Sequence, residues 1–318
     1  MTALVTGAGG FVGSALCASL LKDGVDVVGV IRPGETSWRL KDPSMTDLRL
    51  IQHDIVNADF ADVIRSVRPT RIFHLAAHGA YSWQNDVRAI VNCNLTATIA
   101  LADAAAAVGS CEAFVHTGSS SEYGLKDVPH NEDDAIKPNS VYAVSKAAAT
   151  SYLGHLARNG QLNAVSARLF SIYGPFEDNS RLIPQLVLKG RHGTLPPLAS
   201  PSIARDFVYV DDAVMCLRRI ADVLSAGDSP GEILNVCSGI ETTLADVAIA
   251  SSAVFANVPT PVWGTYEARH WDTNKWSGDP ALAEKEIGWS ATTSLCEGLQ
   301  QFSEWIESDE LRINYYGA

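Results

Sequence analysis

The segment VYAVSK contains two residues that could move a proton together, Tyr142 and Lys146. They stand four positions apart, so a helix would place both side chains on one face. A phenol is a poor base near neutral pH, but a nearby ammonium group favours the phenolate and lowers the pKa of the tyrosine. We therefore predict that Tyr142 is a general acid or base at a carbonyl or alcohol. A half-buried tyrosine beside a solvated lysine is the alternative.

A hydroxyl-rich segment, HTGSSSEYG at residues 116–124, follows an apolar run that predicts a strand. In a doubly wound sheet, the loop after a strand faces the ligand crevice. A serine hydroxyl in this loop could polarise a substrate oxygen and share its proton with Tyr142. A serine-rich turn without chemistry is the alternative.

A glycine-rich segment, TGAGGFVG at residues 6–13, lies between a predicted strand and a predicted helix. One glycine permits the tight turn, another leaves room for a pyrophosphate, and the third lets the helix pack against the strand. The helix N-terminus then presents free amides to the phosphates. We predict a nicotinamide dinucleotide here, with Lys146 able to bind its ribose; a glycine turn without a ligand is the alternative. The predicted contacts of this segment are Gly7, Gly10, Phe11, Val12 and Gly13.

The residues after the second predicted strand bear on the kind of dinucleotide. An acidic residue there would bind the adenosine ribose of NAD, but the chain has Ile31 and Arg32 instead. Arg32 could pair with the additional phosphate of NADP, together with Arg39, so we predict NADP(H), with NAD(H) as the alternative. Arg32 could also be a solvated loop residue. Asp54 could accept a hydrogen bond from the adenine amino group, or be an ordinary turn residue.

Alternating strands and helices must position these segments. The predicted strands are 2–6, 25–31, 48–52, 71–75, 113–116, 164–170, 207–210 and 233–237, and the predicted helices are 10–21, 85–108, 140–156, 182–188 and one from 212. This order predicts an α/β Rossmann fold, a doubly wound parallel sheet, with a smaller C-terminal substrate-binding lobe. We assign residues 1–174 to the dinucleotide-binding domain, its sheet completed near 207–237, and residues 175–318 mainly to the lobe.

The charge and cysteine content of the chain limit its partners. The formal net charge of the 318 residues is −12, which repels the phosphate backbones of nucleic acids. None of the six cysteines stands in a CxxC pair or has metal-ligand spacing, so we predict no metal and a reducing, cytoplasmic environment. No signal peptide precedes the first apolar run, and the apolar stretch at 99–108 is too short to cross a membrane, so we expect no membrane association.

Ordered motifs along nearly the whole chain resemble those of the extended short-chain dehydrogenases, the group of nucleotide-sugar epimerases, dehydratases and reductases. They are TGAGGFVG at 6–13, HLAA at 74–77, NLTAT at 94–98, SSSEYG at 119–124, YAVSK at 142–146, RLFSIYGP at 168–175, RDFVYVDD at 205–212, LNVCSG at 234–239 and IGW at 287–289. The resemblance implies an NAD(P)-dependent enzyme whose catalytic triad is Ser119, Tyr142 and Lys146, with Ser120 the less favoured hydroxyl. It also implies cofactor contacts from Ile55, Leu75, Ala76, Ala77, Asn94 and Phe170.

The same resemblance implies a nucleotide-sugar substrate. Arg205 and Arg269 resemble the arginines that hold a substrate diphosphate in this group, and bidentate pairing explains the residue type. For Arg181 and Arg191, we prefer surface salt bridges. The other predicted substrate contacts are His78 with the stretch that follows it to Trp83, Ser120, Ser121, Glu122, Tyr173 and Asn179.

Three reactions fit the triad. A 4,6-dehydratase has an Asp-Glu pair after its active hydroxyl, whereas this chain has Ser120 and Ser121, with Glu122 one place late. Because Arg32 favours NADPH and SSSEYG is similar to a segment of some GDP-sugar ketoreductases, we predict a 4-ketoreductase of a 4-keto(-6-deoxy) nucleotide hexose. A 4-epimerase with tightly bound NAD is the alternative. A non-catalytic NADP-binding sensor or scaffold would typically lack the tyrosine or the lysine that this chain has.

The Ala-rich faces at 102–107 and 147–149 bear on assembly. In the resembling family, such helices pair across a dimer as a four-helix bundle. We therefore predict a homodimer, with packing against the chain's own sheet as the alternative.

Overall fold

Strands and helices alternate along the first half of the chain, close to where the sequence predicts them. The structure, a computed structural model, describes residues 1–56, 59–266 and 273–317. The elements of its first part are β1 Thr2–Thr6, α1 Phe11–Lys22, β2 Asp26–Ile31, β3 Arg49–Gln52, α2 Ala61–Val67, β4 Arg71–His74, α3 Val87–Val91, α4 Ala97–Val108, β5 Ala113–Ser119, α5 Val141–Arg158, β6 Ala164–Leu169 and β7 Ser171–Tyr173. A π-helical turn at Asn92–Thr96 joins α3 to α4, where the sequence predicts one regular helix.

Helices predominate in the second part of the chain. Its elements are α6 Leu182–Arg191, β8 Ala204–Arg205, β9 Phe207–Tyr209, α7 Val210–Ser225, β10 Ile233–Val236, β11 Thr242–Thr243, α8 Leu244–Val254, α9 Ala281–Ile287, α10 Leu295–Glu307 and α11 Glu310–Tyr316. The sequence predicts α6, β9, α7 and β10 but neither α2 nor the helices after β11.

A parallel sheet of seven strands forms the frame of the site. Its order is β10-β6-β5-β4-β1-β2-β3, and Thr6 of β1 lies level with Val30 of β2 and His74 of β4. The strand order reverses between β1 and β4, and ligands bind at the carboxyl edge of a sheet beside such a point. The predicted Rossmann fold is confirmed.

Alternate residues of the strands fill two cores, one on each face of the sheet. Val5, Phe73 and Val115 belong to the core shared with α1 and α7. Their neighbours Leu4 and Phe114 belong to the core shared with α4 and α5. Burial of both faces explains why these strands are almost continuous apolar runs.

A further core lies among α6, α8, α10 and α11. Leu186, Val247, Phe302 and Tyr316 meet there with Tyr173. The pairs β7–β9 and β8–β11 lie outside the main sheet, so β10 completes that sheet and β9 does not. The domain boundary near residue 174 stays a prediction.

The helical stretch Val87–Val108 is longer than the apolar run at 99–108 that it contains. It has 22 residues and a mean hydropathy of 1.3. By length and composition alone it could therefore cross a membrane, whereas the apolar run at 99–108 is too short to do so. Leu101, Ala102 and Ala105 of this stretch pack against the sheet. A core helix of this kind meets the same criteria as a membrane span.

The thiols carry no sign of metal binding or cross-linking. All six cysteines are free, and burial raises the pKa of Cys17 to about 12. Within the described ranges, no group of three His, Cys, Asp or Glu side chains is placed to hold a metal ion.

Candidate active site

A cavity of about 790 Å³ opens at the carboxyl edge of the sheet, where the strand order reverses. The glycine-rich segment forms one part of its wall, and residues of the C-terminal part form another. The predicted site residues that line it are Gly7, Gly10, Phe11, Val12, Gly13, Leu75, Ala77, Ala80, Tyr81, Ser119, Tyr142, Lys146, Phe170, Tyr173 and Arg205. The structure therefore brings residues of all three predicted roles together.

The glycine-rich segment has the shape of a phosphate cradle. Gly7 has a φ of +71°, and a Cβ on it would lie 2.8 Å from Ala76 N on the neighbouring loop. A Cβ on Gly13 would collide with the Gly7 carbonyl, so α1 can pack this closely only with glycine there. In the part of the chain that is described, no side chain caps α1 at Gly10. The free amides of its first turn fit a dinucleotide pyrophosphate.

Ser119, Tyr142 and Lys146 converge at the cavity. Ser119 ends β5 and Tyr142 lies on α5, and both side chains line the cavity. Lys146 follows one turn later on the same helix, is 1% exposed, and donates from Nζ to Thr117 O at 2.8 Å. The predicted triad is thus assembled from the end of one strand and one face of one helix, and its catalytic role stays a prediction.

The protonation equilibria of the tyrosine and the lysine differ from the prediction. Burial raises the pKa of Tyr142 to about 12, and its hydrogen bond with Ser119 opposes that shift. Burial lowers the pKa of Lys146 to about 8, which the Glu122 carboxylate opposes. Lys146 is turned to the Thr117 carbonyl, and loss of solvent dominates both groups. In the protein by itself, burial therefore outweighs any lowering of the tyrosine pKa by the lysine.

Glu122, predicted to contact substrate, faces the protein interior. Its side chain is 0% exposed, and Oε2 accepts a hydrogen bond from Arg168 Nε at 2.9 Å. The turn Ser120–Glu122 directs the carboxylate beneath Ser119, whose N donates to Oε1 at 2.8 Å in a capping box. The prediction is wrong for this reason, and Glu122 cannot serve as the displaced acid of a dehydratase.

The two serines between Ser119 and Glu122 have different surroundings. Ser121 Oγ lies 2.7 Å from Ser119 Oγ, so it reaches the site through that hydroxyl. Ser120 is 7% exposed and accepts a hydrogen bond from Trp276 Nε1 at 3.2 Å. Ser119, the hydroxyl preferred from the sequence, lines the cavity with Tyr142 and opposes the rise of the Tyr142 pKa. Contacts of Ser120 and Ser121 with substrate stay predictions.

Asn94, predicted to contact the cofactor, holds the loop after β4 instead. Its side chain accepts from His78 N and donates to His78 O, both at 2.8 Å, and donates to Ser145 Oγ at 2.9 Å. With 1% exposure and these partners, Asn94 fixes the main chain of His78 beside α5. A contact between the His78 side chain and substrate stays a prediction.

An acidic residue that the sequence analysis misses lies against the glycine-rich segment. Glu35 Oε2 accepts a hydrogen bond from Arg32 N at 3.3 Å, and a Cβ on Gly9 would collide with Glu35 Oε1. Arg32 itself is exposed. Arg39, its expected partner, donates from Nε to Phe176 O at 2.6 Å. The predicted pair of arginines for an NADP phosphate is therefore not assembled, because Arg39 is used to hold another loop.

The remaining predicted cofactor residues lie around the same edge of the sheet. Ala76 lies behind Gly7, between the two lining residues Leu75 and Ala77. Ile55 packs against the core shared with α4. Asp54 accepts a hydrogen bond from Val56 N at 3.0 Å in a turn, and its contact with adenine stays a prediction.

Two arginines line the substrate side of the cavity. Arg205, in β8, was expected there and donates from Nη1 to Ala204 O at 2.7 Å. Arg181 also lines the cavity, with its guanidinium carbon 4.7 Å from the centre of the Tyr81 ring. The surface salt bridge preferred for Arg181 is therefore wrong.

The other two predicted arginines lie elsewhere. Arg191 pairs with Glu307 at 2.7 Å, as predicted. Arg269 lies outside the described residues.

Glu177 is a cavity residue that the sequence analysis does not predict. It is 8% exposed, and in the described part of the chain its Oε2 has no hydrogen-bond partner. Burial raises its pKa to about 8, and the Arg181 charge opposes that shift. Its signal in the sequence is only an acid two residues after the Gly174-Pro175 turn. Asn179, predicted nearby to contact substrate, donates to Tyr315 O at 3.4 Å instead.

Comparison with known proteins places this site in a family. Residues 3–237 match the model of the NAD-dependent epimerase/dehydratase family. The chain belongs to this family. This match confirms the predicted relationship with the extended short-chain dehydrogenases. It also confirms the prediction that the protein is an NAD-dependent enzyme.

Epimerases are prominent among the relatives in the epimerase/dehydratase family. UDP-glucose 4-epimerase of Mycolicibacterium smegmatis is 29% identical over 97% of this chain and 99% of its own length. UDP-glucuronate 4-epimerase 4 of Arabidopsis thaliana is 27% identical over 100% of this chain and 76% of its own length. Both act at C4 by their names.

Solved structures of the family agree in fold. MoeE5 in complex with UDP-glucose and NAD is 30% identical, with a TM-score of 0.82 over 96% of this chain and 99% of that one. A UDP-glucuronic acid 4-epimerase mutant from Bacillus cereus, in complex with a fluorinated UDP-glucuronic acid and NAD, is 25% identical with the same TM-score and coverage. These comparisons support the 4-epimerase alternative better than the predicted 4-ketoreductase, and they do not support the predicted preference for NADP.

Proposed function

We propose that the protein is a UDP-sugar 4-epimerase that works with bound NAD. The observation that carries this proposal is the single cavity in which the glycine-rich segment meets Ser119, Tyr142 and Lys146. It is supported by the 4-epimerase relative from M. smegmatis, which is aligned over nearly the full length of both chains.

The proposed reaction assigns one task to each residue of the triad. Bound NAD, held by the glycine-rich segment, supplies a hydride acceptor. Tyr142 takes the proton of the sugar C4 hydroxyl as that carbon is oxidised, and Ser119 holds the same oxygen by a hydrogen bond. Lys146 binds the nicotinamide ribose and favours the tyrosinate electrostatically. After the 4-keto sugar has rotated in the cavity, the hydride would return to the opposite face of C4 and Tyr142 would return the proton to the oxygen. Hydride and proton are both restored, so the reaction needs no net oxidant.

Glu35 is the observation that favours NAD over NADP in this proposal. Its carboxylate lies beside Gly9, where it would accept hydrogen bonds from an adenosine ribose and repel an additional phosphate. Arg39 is bound to the Phe176 carbonyl and is not placed to compensate. The case for a ketoreductase depends on exchangeable NADPH, and this geometry opposes it.

The residues after Ser119 argue against elimination. Loss of water from a hexose needs its own acid and base, and the positions for them hold Ser120 and Ser121. Glu122 is buried under Ser119 and paired with Arg168. On the substrate side, we assign Arg205 and Arg181 to the diphosphate of the UDP-sugar, because both line the cavity.

Tyr142→Phe is the direct test of the proposed reaction. Purified protein, without added cofactor, should interconvert UDP-glucose or UDP-glucuronate with its C4 epimer, measured by chromatography of the products. Removing the phenol should lower kcat about a hundred- to ten-thousand-fold. Cofactor released by denaturing the wild-type protein should be NAD.

Tyr152→Phe is the matched control on the same helix. The Tyr152 hydroxyl is bonded to Asp103 of α4, so this change removes a phenol of α5 outside the cavity and should leave kcat unchanged. Net consumption of NADPH with a keto sugar, or full activity of Tyr142→Phe, would contradict the epimerase proposal.

Two further expectations stay predictions. The homodimer predicted from the helices of the chain is compatible with the exposed Val87 of α3 and Val144 of α5, which are 54% and 52% exposed. A cytoplasmic location is likewise a prediction.

A further inference from the structure

The Glu122 carboxylate joins three elements of the site. Oε1 accepts hydrogen bonds from Ser119 N at 2.8 Å and from Thr150 Oγ1 at 3.2 Å, while Oε2 accepts from Arg168 Nε at 2.9 Å. Ser119 ends β5, Arg168 lies on β6, and Thr150 lies on α5 one turn after Lys146. One carboxylate therefore connects the strand end that bears Ser119 with the helix that bears Tyr142.

The Glu122–Arg168 contact carries a desolvation cost. The side chains of Glu122 and Arg168 are 0% and 3% exposed, and removal of two charges from water can exceed their mutual attraction. Arg168 Nη1 has no hydrogen-bond partner within the described ranges, and its guanidinium carbon lies 4.3 Å from the centre of the Tyr123 ring. A buried pair with an unsatisfied donor, placed directly behind Ser119, is better explained by what it positions than by stability.

We propose that Glu122 is a positioning residue that acts through Ser119, a role that rests on the proposed epimerase function. Glu122 binds the Ser119 amide, and the same turn brings Ser121 N to within 3.2 Å of Ser119 Oγ and Ser121 Oγ to within 2.7 Å. These contacts fix the position of the Ser119 hydroxyl at the cavity that Tyr142 also lines. A displacement of about 1 Å at such a group can reduce the rate about a hundredfold.

A double-mutant cycle on the full-length protein tests the proposal. The cycle compares Glu122→Gln, Ser119→Ala and the double variant with the wild type. Glu122→Gln should lower kcat about ten- to a hundredfold and change KM for the UDP-sugar less than about threefold. In the Ser119→Ala background, the same change should lower kcat less than about threefold, because the hydroxyl that Glu122 positions is absent.

Asp42→Asn is the matched control for the loss of a buried ion pair. Asp42 has a fully buried side chain and pairs with Arg312 at 2.7 Å on α11, so its loss should lower the Tm much as Glu122→Gln does and leave kcat unchanged. Should Glu122→Gln fail to fold, Glu122→Leu with Arg168→Met takes its place in the cycle. Apolar replacement of a whole buried pair is often neutral for stability.

Equal factors in the two backgrounds, or an unchanged kcat in a folded Glu122 variant, would overturn the positioning role. A wild-type protein inactive on UDP-sugars would instead overturn the proposed function. A crystal structure of the folded Glu122 variant then decides the inference independently of activity. Displacement of Ser119 Oγ relative to Tyr142 and loss of its contacts with Ser121 support the positioning role, and an unchanged Ser119 refutes it.

Discussion

The loops that follow β5 and β7 each bring a buried glutamate to the same edge of the sheet, and the two carboxyl groups are treated in opposite ways. Glu122 accepts hydrogen bonds from Ser119, Thr150 and Arg168. In the second loop, Glu177 Oε2 lacks a hydrogen-bond partner among the described residues, and burial raises its pKa to about 8. The Glu122 carboxylate is therefore bonded within the protein, whereas Glu177 Oε2 is left available to a ligand in the cavity.

The backbones of the two loops also differ: the loop with the unsatisfied carboxyl group is the strained one. In the first loop a glycine, Gly124, has a φ of +76°, whereas the second loop holds a residue with a side chain, Phe176, at a φ of +71°. A side chain in this conformation is strained and persists only when its surroundings hold it. Arg39 binds the Phe176 carbonyl, and the Phe176 ring packs 4.8 Å from that of Trp305. Strain and an unsatisfied acid therefore coincide on the substrate side.

Arg168→Met should cause the largest loss of stability that this comparison predicts. It leaves Glu122 buried without a counter-charge, which lowers the free energy of unfolding by about 3–5 kcal/mol. Arg181→Met, the corresponding change beside Glu177, should cost less than about 1 kcal/mol, because that guanidinium borders the open cavity. Urea denaturation of both variants at neutral pH measures the difference. Equal losses would show that the two loops do not differ in this way.

Glu177→Gln should stabilise the protein at alkaline pH. The pKa of Glu177 is raised from 4.5 to about 8, so between these values the folded protein holds a proton that the unfolded chain has lost. The contribution of this group to stability is therefore full below pH 4.5 and is lost as the pH rises through 8. Above that pH, we expect the variant to exceed the wild type by about 1–3 kcal/mol, since its amide also lacks a full set of partners.

The pH dependence of the difference identifies its origin. The gain from Glu177→Gln should disappear in acid, where the wild-type carboxyl group is protonated as well. Glu122→Gln is the comparison variant, and it should be less stable than the wild type across the same pH range. Thermal unfolding followed at several pH values measures both; a Glu177→Gln variant that is less stable in alkali would refute the assignment.

The two glutamates also show which parts of the site a sequence can reveal. The glycine-rich segment, the Tyr142–Lys146 pair and the strand–helix order depend on local spacing, and the sequence predicts them. The direction of a side chain depends on distant partners: Glu122 is turned inward by Arg168, 46 residues away, and Asn94 by Ser145, 51 residues away. No local pattern contains those distances, so the sequence places Glu122 and Asn94 in the wrong surroundings and does not reveal Glu35 or Glu177.

The smallest predicted effect is a change in KM after removal of one tyrosine hydroxyl group beside each loop. Tyr316 donates to Glu177 O at 2.6 Å, and Tyr123 donates to Asn235 Oδ1 at 2.7 Å. Replacing either tyrosine with phenylalanine removes one buried hydrogen bond and should cost about 1 kcal/mol in unfolding free energy. Only Tyr316→Phe should raise KM for the UDP-sugar, by about two- to threefold, because it loosens the strained loop that faces the cavity. Tyr123→Phe should leave KM unchanged, since Glu122 still holds the loop after β5. If KM rises equally in both variants, the two loops do not differ in their effect on substrate binding.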